Sequence, residues 1–502
     1  MRVLFVYPDL YVTKSPNGHV SYEPAGWYNE GLASLSAALK QHGHETALYH
    51  LLYPPTWSDF GDELQRRRPD LVAFSLRSEV FRLGANLALW AKEMGYPTIA
   101  GSCHPTLAPD ESIAAPGIDA ICRGEGEVAL AELCNRMEAG RDFYDIPSLW
   151  LKRDGQVIRN PVGPVVEDLD SLPIPDFGLF DFSRLTSTQT YTALASFTRG
   201  CPYNCAYCCN QILRSIYPNR QRWLRTRSPQ NAMAYIHALK EAYPEARYLR
   251  VMDDIFHWDE DWLEEFARLY RAEFSMPLAV HHRPNLFSER TARLLQEIGC
   301  YQVYFGVETG NEYIRNQVLR RRISTEQIEQ AFDRARKAGM ITTAYNMVGL
   351  PFENMIRALD TIKLNARIRA DRMLNPIYCP YPNTDLYNIA VQEGFCSPKA
   401  SYEEEAVCSM PGYGPDKIRF VCANFKLFVR LYGIAYRLPS FLARAGEALV
   451  DRIFLSPRLP YRLLAKLANV RTRSVARGKS FLRRRVPGLY ILARNRLLGS
   501  RL

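Results

Sequence analysis

The sequence predicts an α/β protein with two β/α domains and a basic, mostly helical C-terminal region. Strand-like and amphipathic helical runs alternate in two series, and a proline-spaced segment separates the series. The composition agrees, because 502 residues with 47% apolar and 23% charged side chains suffice for large cores and are neither disordered nor fibrous. We expect one domain over residues 1–140, a linker over 141–190, a second domain over 191–395 and a C-terminal region over 396–502.

The first series contains five β/α units, which predict a doubly wound parallel sheet. Its strand-like runs are residues 3–7, 46–50, 71–76, 98–101 and 119–122, and its helical runs are residues 32–42, 60–68, 83–94 and 127–137. Such sheets bind ligands beyond the carboxyl ends of the strands. The candidate ligand contacts in those loops are Ser75, Gly101, Ser102, His104, Gly124 and Glu125. The simpler alternative is that glycine and serine only turn the strands into helices.

The linker and the second series follow. A hairpin-like stretch over residues 148–159 turns at Asp154–Gly155, and prolines at 173 and 175 then mark an interdomain connection. The second domain begins near Thr192 and contains six β/α units. Its expected strands are residues 194–198, 248–252, 278–282, 302–307, 342–348 and 374–379.

Cysteine usage indicates a reducing compartment and one metal-binding loop. Of twelve cysteines only Cys201, Cys205, Cys208 and Cys209 are grouped, which is not the spacing of a secreted disulfide framework. The C-x3-C-x2-C spacing lets three thiolates converge on one soft metal centre. A structural zinc site needs a fourth ligand, and adjacent residues such as Cys208 and Cys209 rarely face one metal. A zinc or redox-thiol site is the alternative to an iron–sulfur cluster, and Cys209 is interpreted as packing.

This loop resembles the C-x3-C-x-aromatic-C signature of radical S-adenosylmethionine (SAM) enzymes, with Tyr207 as the aromatic residue. The resemblance covers roughly residues 190–395 and implies the family's partial (βα)6 TIM barrel. It also implies a [4Fe–4S] cluster on Cys201, Cys205 and Cys208, whose open iron binds SAM. An electron donor such as flavodoxin or ferredoxin then drives cleavage of SAM into methionine and a 5′-deoxyadenosyl radical.

The carboxyl ends of the barrel strands resemble the SAM-contacting segments of the same family. Asp253 and Asp254 stand where many relatives carry Gly-Gly-Glu for the SAM ammonium; the plainer alternative is that one caps a helix while the other is solvated. Gly349 begins a Gly-Leu-Pro-x-Glu turn, at which relatives approach adenine. The full set of expected SAM contacts is Tyr207, Asp253, Asp254, Arg283, Glu308 and Gly349.

The first domain resembles the flavodoxin- or Rossmann-like cobalamin-binding domain that precedes the barrel in some radical SAM enzymes. The resemblance implies that the six loop residues from Ser75 to Glu125 contact cobalamin. Many such domains carry Asp-x-His-x-x-Gly, whose histidine is the lower ligand of cobalt, whereas residues 9–13 contain no histidine. We therefore expect cobalt without a lower histidine, and loss of cobalamin altogether is the alternative.

The C-terminal region carries the basic character of the chain. Residues 417–502 hold 20 Lys and Arg against Glu447 and Asp451, a net charge of +18, whereas residues 1–416 carry −8. Short basic amphipathic helices are predicted there, and anionic membrane surfaces attract them. Nucleic acid is a less favoured partner, and a helical lid docked on the barrel is the structural alternative. Without a signal-peptide pattern or a long apolar run, we expect a cytoplasmic protein with peripheral contact at the inner face of the membrane.

Together the resemblances imply a cobalamin-dependent radical SAM enzyme that methylates an unactivated carbon of a small or lipid-like metabolite. In that reaction the deoxyadenosyl radical removes a hydrogen atom from the substrate, and methylcobalamin supplies the methyl group. The first alternative is cyclisation or rearrangement by the same radical, with cobalamin accessory or absent. The second alternative is a non-catalytic metal-binding protein docked on a membrane or on RNA.

Overall fold

The structure is a computed structural model that describes residues 1–14, 20–185, 190–256, 259–397 and 408–470. The strands of the first domain are β1 (Arg2–Pro8), β2 (Leu10–Lys14), β3 (Val20–Pro24), β4 (Glu45–Leu51), β5 (Leu71–Ser75), β6 (Thr98–Gly101), β7 (Ala120–Cys122), β8 (Leu149–Arg153) and β9 (Gln156–Arg159). β2 and β3 form a separate hairpin, and the other strands form one sheet in the order β4-β1-β5-β6-β7-β8-β9. The crevice of such a sheet lies where the strand order reverses, between β1 and β5.

Helices cover both faces of this sheet, which confirms the predicted doubly wound fold. They are α1 (Glu30–Gln41), α2 (Trp57–Arg67), α3 (Phe81–Glu93), α4 (Cys103–Leu107), α5 (Pro109–Ala114) and α6 (Glu127–Glu138). Leu32 of α1 and Leu130 of α6 belong to one apolar core, and Phe60 of α2 and Leu87 of α3 to another. The apolar stripes of these helices are therefore buried on opposite faces of the sheet.

Two features of the first domain differ from the expectation. The predicted hairpin over residues 148–159 forms as β8 and β9, but β8 pairs antiparallel with β7 and so extends the first sheet beyond residue 140. The β2–β3 hairpin lies in a stretch that carried no strand prediction. β3 ends at Pro24, and a proline weakens the prediction of a strand from sequence.

The second domain is an open six-stranded parallel barrel, as predicted. Its strands are β10 (Thr192–Ala195), β13 (Tyr248–Val251), β14 (Leu278–His282), β15 (Cys300–Glu308), β16 (Ile341–Asn346) and β17 (Arg372–Leu374), paired in that order, while β11 (Thr198–Arg199) and β12 (Arg225–Thr226) form a small ladder. The helices are α7 (Asn210–Ser215), α8 (Pro229–Ala242), α9 (Glu260–Glu273), α10 (Glu289–Glu297), α11 (Thr325–Lys337), α12 (Met355–Ile368) and α13 (Asp385–Gln392).

The strands of the barrel alternate between a helix-facing and an inward-facing side. On β15, Val303, Phe305 and Val307 are fully buried in the apolar core that the helices cover. Tyr304 and Glu308 therefore point to the opposite side, into the barrel. The polar residues described below lie at the carboxyl ends of the strands.

The C-terminal helices dock on the barrel. α14 (Pro415–Ala435) packs against α12, and α15 (Ser440–Phe454) packs against α14. Lys363 of α12 pairs with Glu447 at 2.9 Å and with Asp451 at 2.8 Å. The chain is helical again over residues 461–470, whereas residues 471–502 lie outside the described part. No helix of the described residues is long and apolar enough to cross a membrane.

Candidate radical SAM and cobalamin site

The cysteine loop follows β11 at the carboxyl end of the barrel. It begins at Gly200, which has a φ of 86° and whose Cβ, if present, would collide with the carbonyl oxygen of Trp223. Only glycine fits there without strain. Cys205 is buried and Cys201 and Cys208 are partly exposed, so the loop presents its thiols at the barrel mouth.

Side-chain donors lie beside two of these thiols, Cys205 and Cys208. Arg283 Nη1 lies 3.7 Å from Cys205 Sγ, and its guanidinium stacks 3.6 Å from the ring centre of Tyr203. Asn210 Nδ2 donates to Cys208 Sγ at 3.7 Å. A hydrogen bond from Cys209 and the contacts of Asn210 lower the pKa of Cys208 to about 7. Such N–H···S contacts are typical of iron–sulfur sites.

The three thiols do not converge on the position of a single metal ion. Among the described residues no group of three His, Cys, Asp or Glu side chains is arranged to hold a single metal ion. A cluster with a different iron for each thiolate does not need such convergence. The three cysteines and their cationic neighbour Arg283 therefore fit a [4Fe–4S] cluster, and their role as ligands remains a prediction.

Tyr207, Glu308 and Arg321 form a buried polar group above the barrel. Tyr207 Oη donates to Glu308 Oε1 at 3.1 Å, and Arg321 Nη1 lies 2.6 Å from Tyr207 Oη and 3.3 Å from Glu308 Oε1. Burial raises the pKa of Glu308, and Arg321 opposes that rise. Arg321 Nε is buried and has no hydrogen-bond partner in the described part of the chain. A free donor beside a carboxylate fits the carboxylate and ammonium of SAM.

The two aspartates after β13 have different surroundings. Asp253 Oδ1 accepts hydrogen bonds from Ser196 Oγ, Phe197 N and Thr198 N at 3.0, 2.8 and 3.1 Å. Its burial raises the pKa of this carboxyl to about 7. Asp253 therefore anchors the segment that leads into the cysteine loop. Asp254 accepts from Asn210 Nδ2 at 2.8 Å and is the better placed of the two for a ligand.

Gly349 lies in a turn covered by the C-terminal region. Its φ is 80°, its N–H donates to Glu353 Oε2 at 2.6 Å, and an added Cβ would lie 2.9 Å from Ile418 Cγ2 of α14. Packing against α14 is thus one reason for glycine at this position. Its predicted contact with adenine stays a prediction.

A cavity of about 460 Å³ lies between the first domain and the cysteine loop. It opens at the carboxyl ends of β5, β6 and β7, where such sheets bind ligands. An added Cβ at Gly101 would meet nothing nearer than Cys122 Cβ at 3.9 Å, so the backbone surface there is free for a ligand. Five lining residues are glycines, which fits a large flat ligand such as cobalamin. From the first domain the lining includes Ser75, Gly101, Ser102, Gly124 and Glu125. From the second domain it includes Arg199, Gly200, Cys209, Asn210 and Asp254.

Five of the six predicted cobalamin contacts line this cavity, but several also have structural roles. Glu125 pairs with Arg225 at 2.8 Å and Arg199 at 3.3 Å. An added Cβ at Gly124 would collide with the hydroxyl of Tyr217. His104 does not line the cavity. Its Nδ1 lies 3.1 Å from Ser78 Oγ, its ring packs 4.0 Å from that of Phe81, and burial lowers its pKa to about 4.

The loop after β1 contains no histidine near the cavity. Asp9 is buried, accepts from Trp27 N at 2.7 Å and from Tyr7 Oη at 3.2 Å, and lies 3.1 Å from His50 Nε2. Neither Asp9 nor His50 is among the residues that line the cavity. That a bound cobalt has no lower histidine stays a prediction.

Sequence reasoning missed Arg321, Arg199, Arg225 and Asn210. Arg321 is the middle residue of an Arg320–Arg322 run after β15, and that run was a usable signal. Arg199 and Arg225 act through Glu125, which is 74 and 100 residues away, and Asn210 contacts both the nearby Cys208 and Asp254, 44 residues away. No local pattern announces such contacts.

Comparisons with known proteins agree with this geometry. The radical SAM superfamily profile matches residues 195–364, and the B12 binding domain profile matches residues 24–134. The uncharacterized methyltransferase PH0819 of Pyrococcus horikoshii is 26% identical over 365 residues, which are 72% of this chain and 78% of that protein. The anaerobic magnesium-protoporphyrin IX monomethyl ester cyclase of Rubrivivax gelatinosus is 24% identical over 77% of this chain and 69% of that protein.

A solved structure shares the fold across both domains. The radical SAM methyltransferase TsrM from Kitasatospora setae, with cobalamin and a [4Fe–4S] cluster bound, superposes with a TM-score of 0.63 at 17% identity, covering 80% of this chain and 79% of that one. The B12 binding domain profile matches the domain whose strand ends line the cavity. The radical SAM profile matches the domain that carries the cysteine loop. The chain therefore belongs to the cobalamin-dependent radical SAM enzymes, and its cofactors are a [4Fe–4S] cluster, SAM and cobalamin.

Proposed function

We propose that the protein methylates an unactivated carbon of a small-molecule substrate. The observation that carries this proposal is the shared wall of the two cofactor sites. Cys209, Asn210 and Asp254, beside the expected cluster ligand Cys208, line the same cavity as Ser75 and Gly101 of the first domain. A substrate at this junction lies within reach of both cofactors, as radical methylation requires.

The residues of the chain hold and separate the cofactors. When bound, the cluster with SAM supplies a carbon radical, and cobalamin supplies a transferable methyl group. Cys201, Cys205 and Cys208 bind the cluster, and Arg283 stabilises its negative charge through Cys205. Glu308 and Arg321 bind the charged groups of SAM and orient it. The buried surroundings of this group exclude water from a reactive site.

An anaerobic assay tests the proposal. The reconstituted protein, a reductant with flavodoxin or ferredoxin, and SAM with a deuterated methyl group are incubated with candidate metabolites. We expect 5′-deoxyadenosine together with a product in which a CD3 group from SAM has replaced one hydrogen atom of the substrate. A Cys205→Ala variant serves as the control and should form neither product.

The same assay separates the alternatives. A substrate-dependent product of changed structure but without the labelled methyl group would instead support cyclisation or rearrangement, for which the Rubrivivax cyclase is a precedent. A protein without iron and sulfide after anaerobic purification would support the non-catalytic zinc alternative. Either result contradicts the methylation proposal.

The C-terminal helices support contact with an anionic membrane. Leu427 and Ile434 on α14 and Phe441 and Leu449 on α15 are each at least 47% exposed. Of the three acidic side chains of these helices, Glu447 and Asp451 pair with Lys363, and Asp416 lies in the first turn of α14. The rest of the outward surface carries basic and apolar side chains. This combination is the pattern of helices that lie on anionic lipid. A lipid-like substrate is therefore the more specific form of our proposal.

A further inference from the structure

A second cavity, of about 550 Å³, lies between the first domain and the interior of the barrel. One wall is aromatic and comes from the first domain, with Tyr7, Tyr11, Trp27 and Tyr28. The other wall comes from the inward-facing side of the first barrel strands and consists of Leu194, Ala195, Ser196, Arg250 and Met252, with Tyr235 of α8. Asn29, Glu30 and Gly31 line both this cavity and the cofactor cavity. A molecule bound here therefore lies beside the cofactors.

Arg250 is held at this wall by neutral partners. Its guanidinium stacks 4.4 Å from the ring centre of Tyr304. Its Nη2 lies 3.0 Å from His281 Nε2 and donates to Tyr345 Oη at 3.2 Å. Burial and the charge of Arg250 lower the pKa of His281 to about 3, so the imidazole is neutral and accepts the hydrogen bond. Arg250 Nε is buried and has no hydrogen-bond partner among the described residues.

Several other arginines of the interior have anionic partners, although the buried Arg227 and Arg283 have no carboxylate within ion-pair distance among the described residues. Arg225 pairs with Glu125, Arg315 with Glu312 and Arg321 with Glu308. In the described part of the chain, no carboxylate lies within ion-pair distance of Arg250. A half-buried cation without a counter-charge is costly unless a ligand supplies the charge.

The acidic group of the cavity does not fill this role. Burial raises the pKa of Glu30, and the cations that oppose this rise are Arg199 and Arg227 rather than Arg250. Glu30 thus belongs to the charge network between the domains. A bound anion would supply the counter-charge that Arg250 lacks among the described residues.

We propose that Arg250 binds an anionic group of the substrate, a carboxylate or a phosphate, while an apolar or aromatic part of the same molecule packs on Tyr7, Tyr11 and Trp27. The guanidinium keeps an Nε–H without a partner among the described residues, and anions prefer such a charged donor. Aromatic side chains supply a large apolar contact area for the rest of the substrate. This inference rests on the proposed function, because it assigns the substrate class of that reaction.

Calorimetric titration of the reconstituted full chain tests the inference without turnover. The probes are 2-naphthoate, 2-naphthyl phosphate and the neutral amide 2-naphthamide, at neutral pH and under anaerobic conditions. We expect at least one anion to bind about tenfold more tightly than the amide, because a charge-assisted contact is lost in the amide. The arm with the higher affinity tells a carboxylate from a phosphate site.

Variants assign the binding to this arginine. Arg250→Gln should weaken binding of the anion by about tenfold and leave binding of the amide unchanged. Arg250→Lys should weaken anion binding less, because lysine keeps the charge but not the Nε–H donor. Arg268→Gln is the matched control, because Arg268 is exposed on α9 and pairs with Glu265. Equal binding of all three probes, or unchanged anion binding by Arg250→Gln, would overturn the inference.

A parallel measurement separates this inference from the proposed function. Formation of 5′-deoxyadenosine without substrate reports on the cluster and SAM alone. If wild-type protein and Arg250→Gln both cleave SAM but differ in anion affinity, the inference stands. If neither cleaves SAM while the difference in affinity remains, the proposed function fails and the anion site at Arg250 stands.

Discussion

Cys208 and Cys209 are adjacent, but their side chains have different surroundings. Cys208 accepts from Asn210 Nδ2 and belongs to the cysteine loop at the barrel mouth. Cys209 lines the cofactor cavity at the N-terminal end of α7, and its thiol hydrogen-bonds to that of Cys208. We expect Cys208 to bind the cluster and Cys209 to support it, because adjacent residues rarely bind one metal.

This difference leads to a test of the cluster ligands. Cys205→Ala, reconstituted anaerobically, should lose most of its iron, because a cluster with two protein thiolates is weakly held. Cys209→Ala is the matched control and should keep about four iron atoms per chain. Iron and sulfide analysis with the optical spectrum decides the result, and loss of the cluster from the Cys209 variant alone would contradict the assignment.

Arg321 differs from its neighbour Arg320 in the same way. Arg321 is buried against Tyr207 and Glu308, whereas Arg320 is exposed and pairs with Asp385. Only the buried residue leaves a carboxylate without its charge partner when it is removed. This pair therefore separates a site role from the general effect of losing an arginine.

Arg321→Gln should reduce both SAM cleavage and stability. Breaking a buried ion pair costs about 3 kcal/mol, and the uncompensated Glu308 then binds a proton more readily. We expect formation of 5′-deoxyadenosine to fall at least about tenfold, with a lower midpoint of thermal unfolding. Arg320→Gln should stay close to wild type in both measurements, and equal effects of the two variants would argue against the proposed SAM group.

At the scale of elements, the local sequence pattern predicted where strands occur. It did not predict which strands pair or which distant residues come into contact. The short apolar run at the start of Leu278–His282 indicated that strand, and the structure gives it the same bounds. The hairpin of Leu149–Arg159 was visible in its Asp154–Gly155 turn, whereas its pairing with β7 is a long-range choice of edge. The same limit applies to the site: the cysteine spacing is local, but the contact of Arg321 with Tyr207 joins residues 114 positions apart.

The C-terminal helices show which part of an amphipathic pattern the barrel satisfies. On α15, Val450 and Phe454 are buried, while Phe441, Leu442 and Leu449 remain exposed. The docked side agrees with the alternative of a helical lid, and the exposed side agrees with a membrane-facing surface. The two interpretations therefore describe opposite sides of the same helix. The strongly basic residues 471–502 lie outside the described part of the chain.

Vesicle binding tests the exposed side. Wild-type protein should sediment with vesicles that contain anionic phospholipid, and the double variant Phe441→Gln/Leu449→Gln should bind about tenfold more weakly, because each exposed apolar side chain contributes when it enters the lipid interface. Val128→Gln is the control, since Val128 is 69% exposed on α6 of the first domain. Equal binding to neutral and anionic vesicles, or binding to RNA instead, would contradict a charge-dependent membrane contact.

At the scale of the whole molecule, buried ion pairs join the two domains beside the cofactor cavity. Arg199, next to the cysteine loop, pairs with Glu127 of α6 at 2.7 Å and with Glu125 at 3.3 Å. Ser34 of α1 donates to Glu127 at 2.8 Å. These contacts fix the distance between the cobalamin cavity and the cluster, which sets the geometry of any transfer between them.

Glu127→Gln should therefore loosen both the fold and the cofactor cavity. Burial alone raises the pKa of Glu127, but Arg199 and Ser34 lower it below its ordinary value. A lowered pKa means that the pair stabilises the folded state at neutral pH, and that this stability is lost as the pH falls through the folded pKa. We expect the variant to lose about 3 kcal/mol at neutral pH, with a smaller difference from wild type in acid. It should also release cobalamin faster during gel filtration.

Glu63→Gln, which disturbs ion pairs within α2 only, is the matched control and should retain cobalamin like wild type. Equal cobalamin retention by all three proteins would show that the ion pairs do not hold the domains at the working distance.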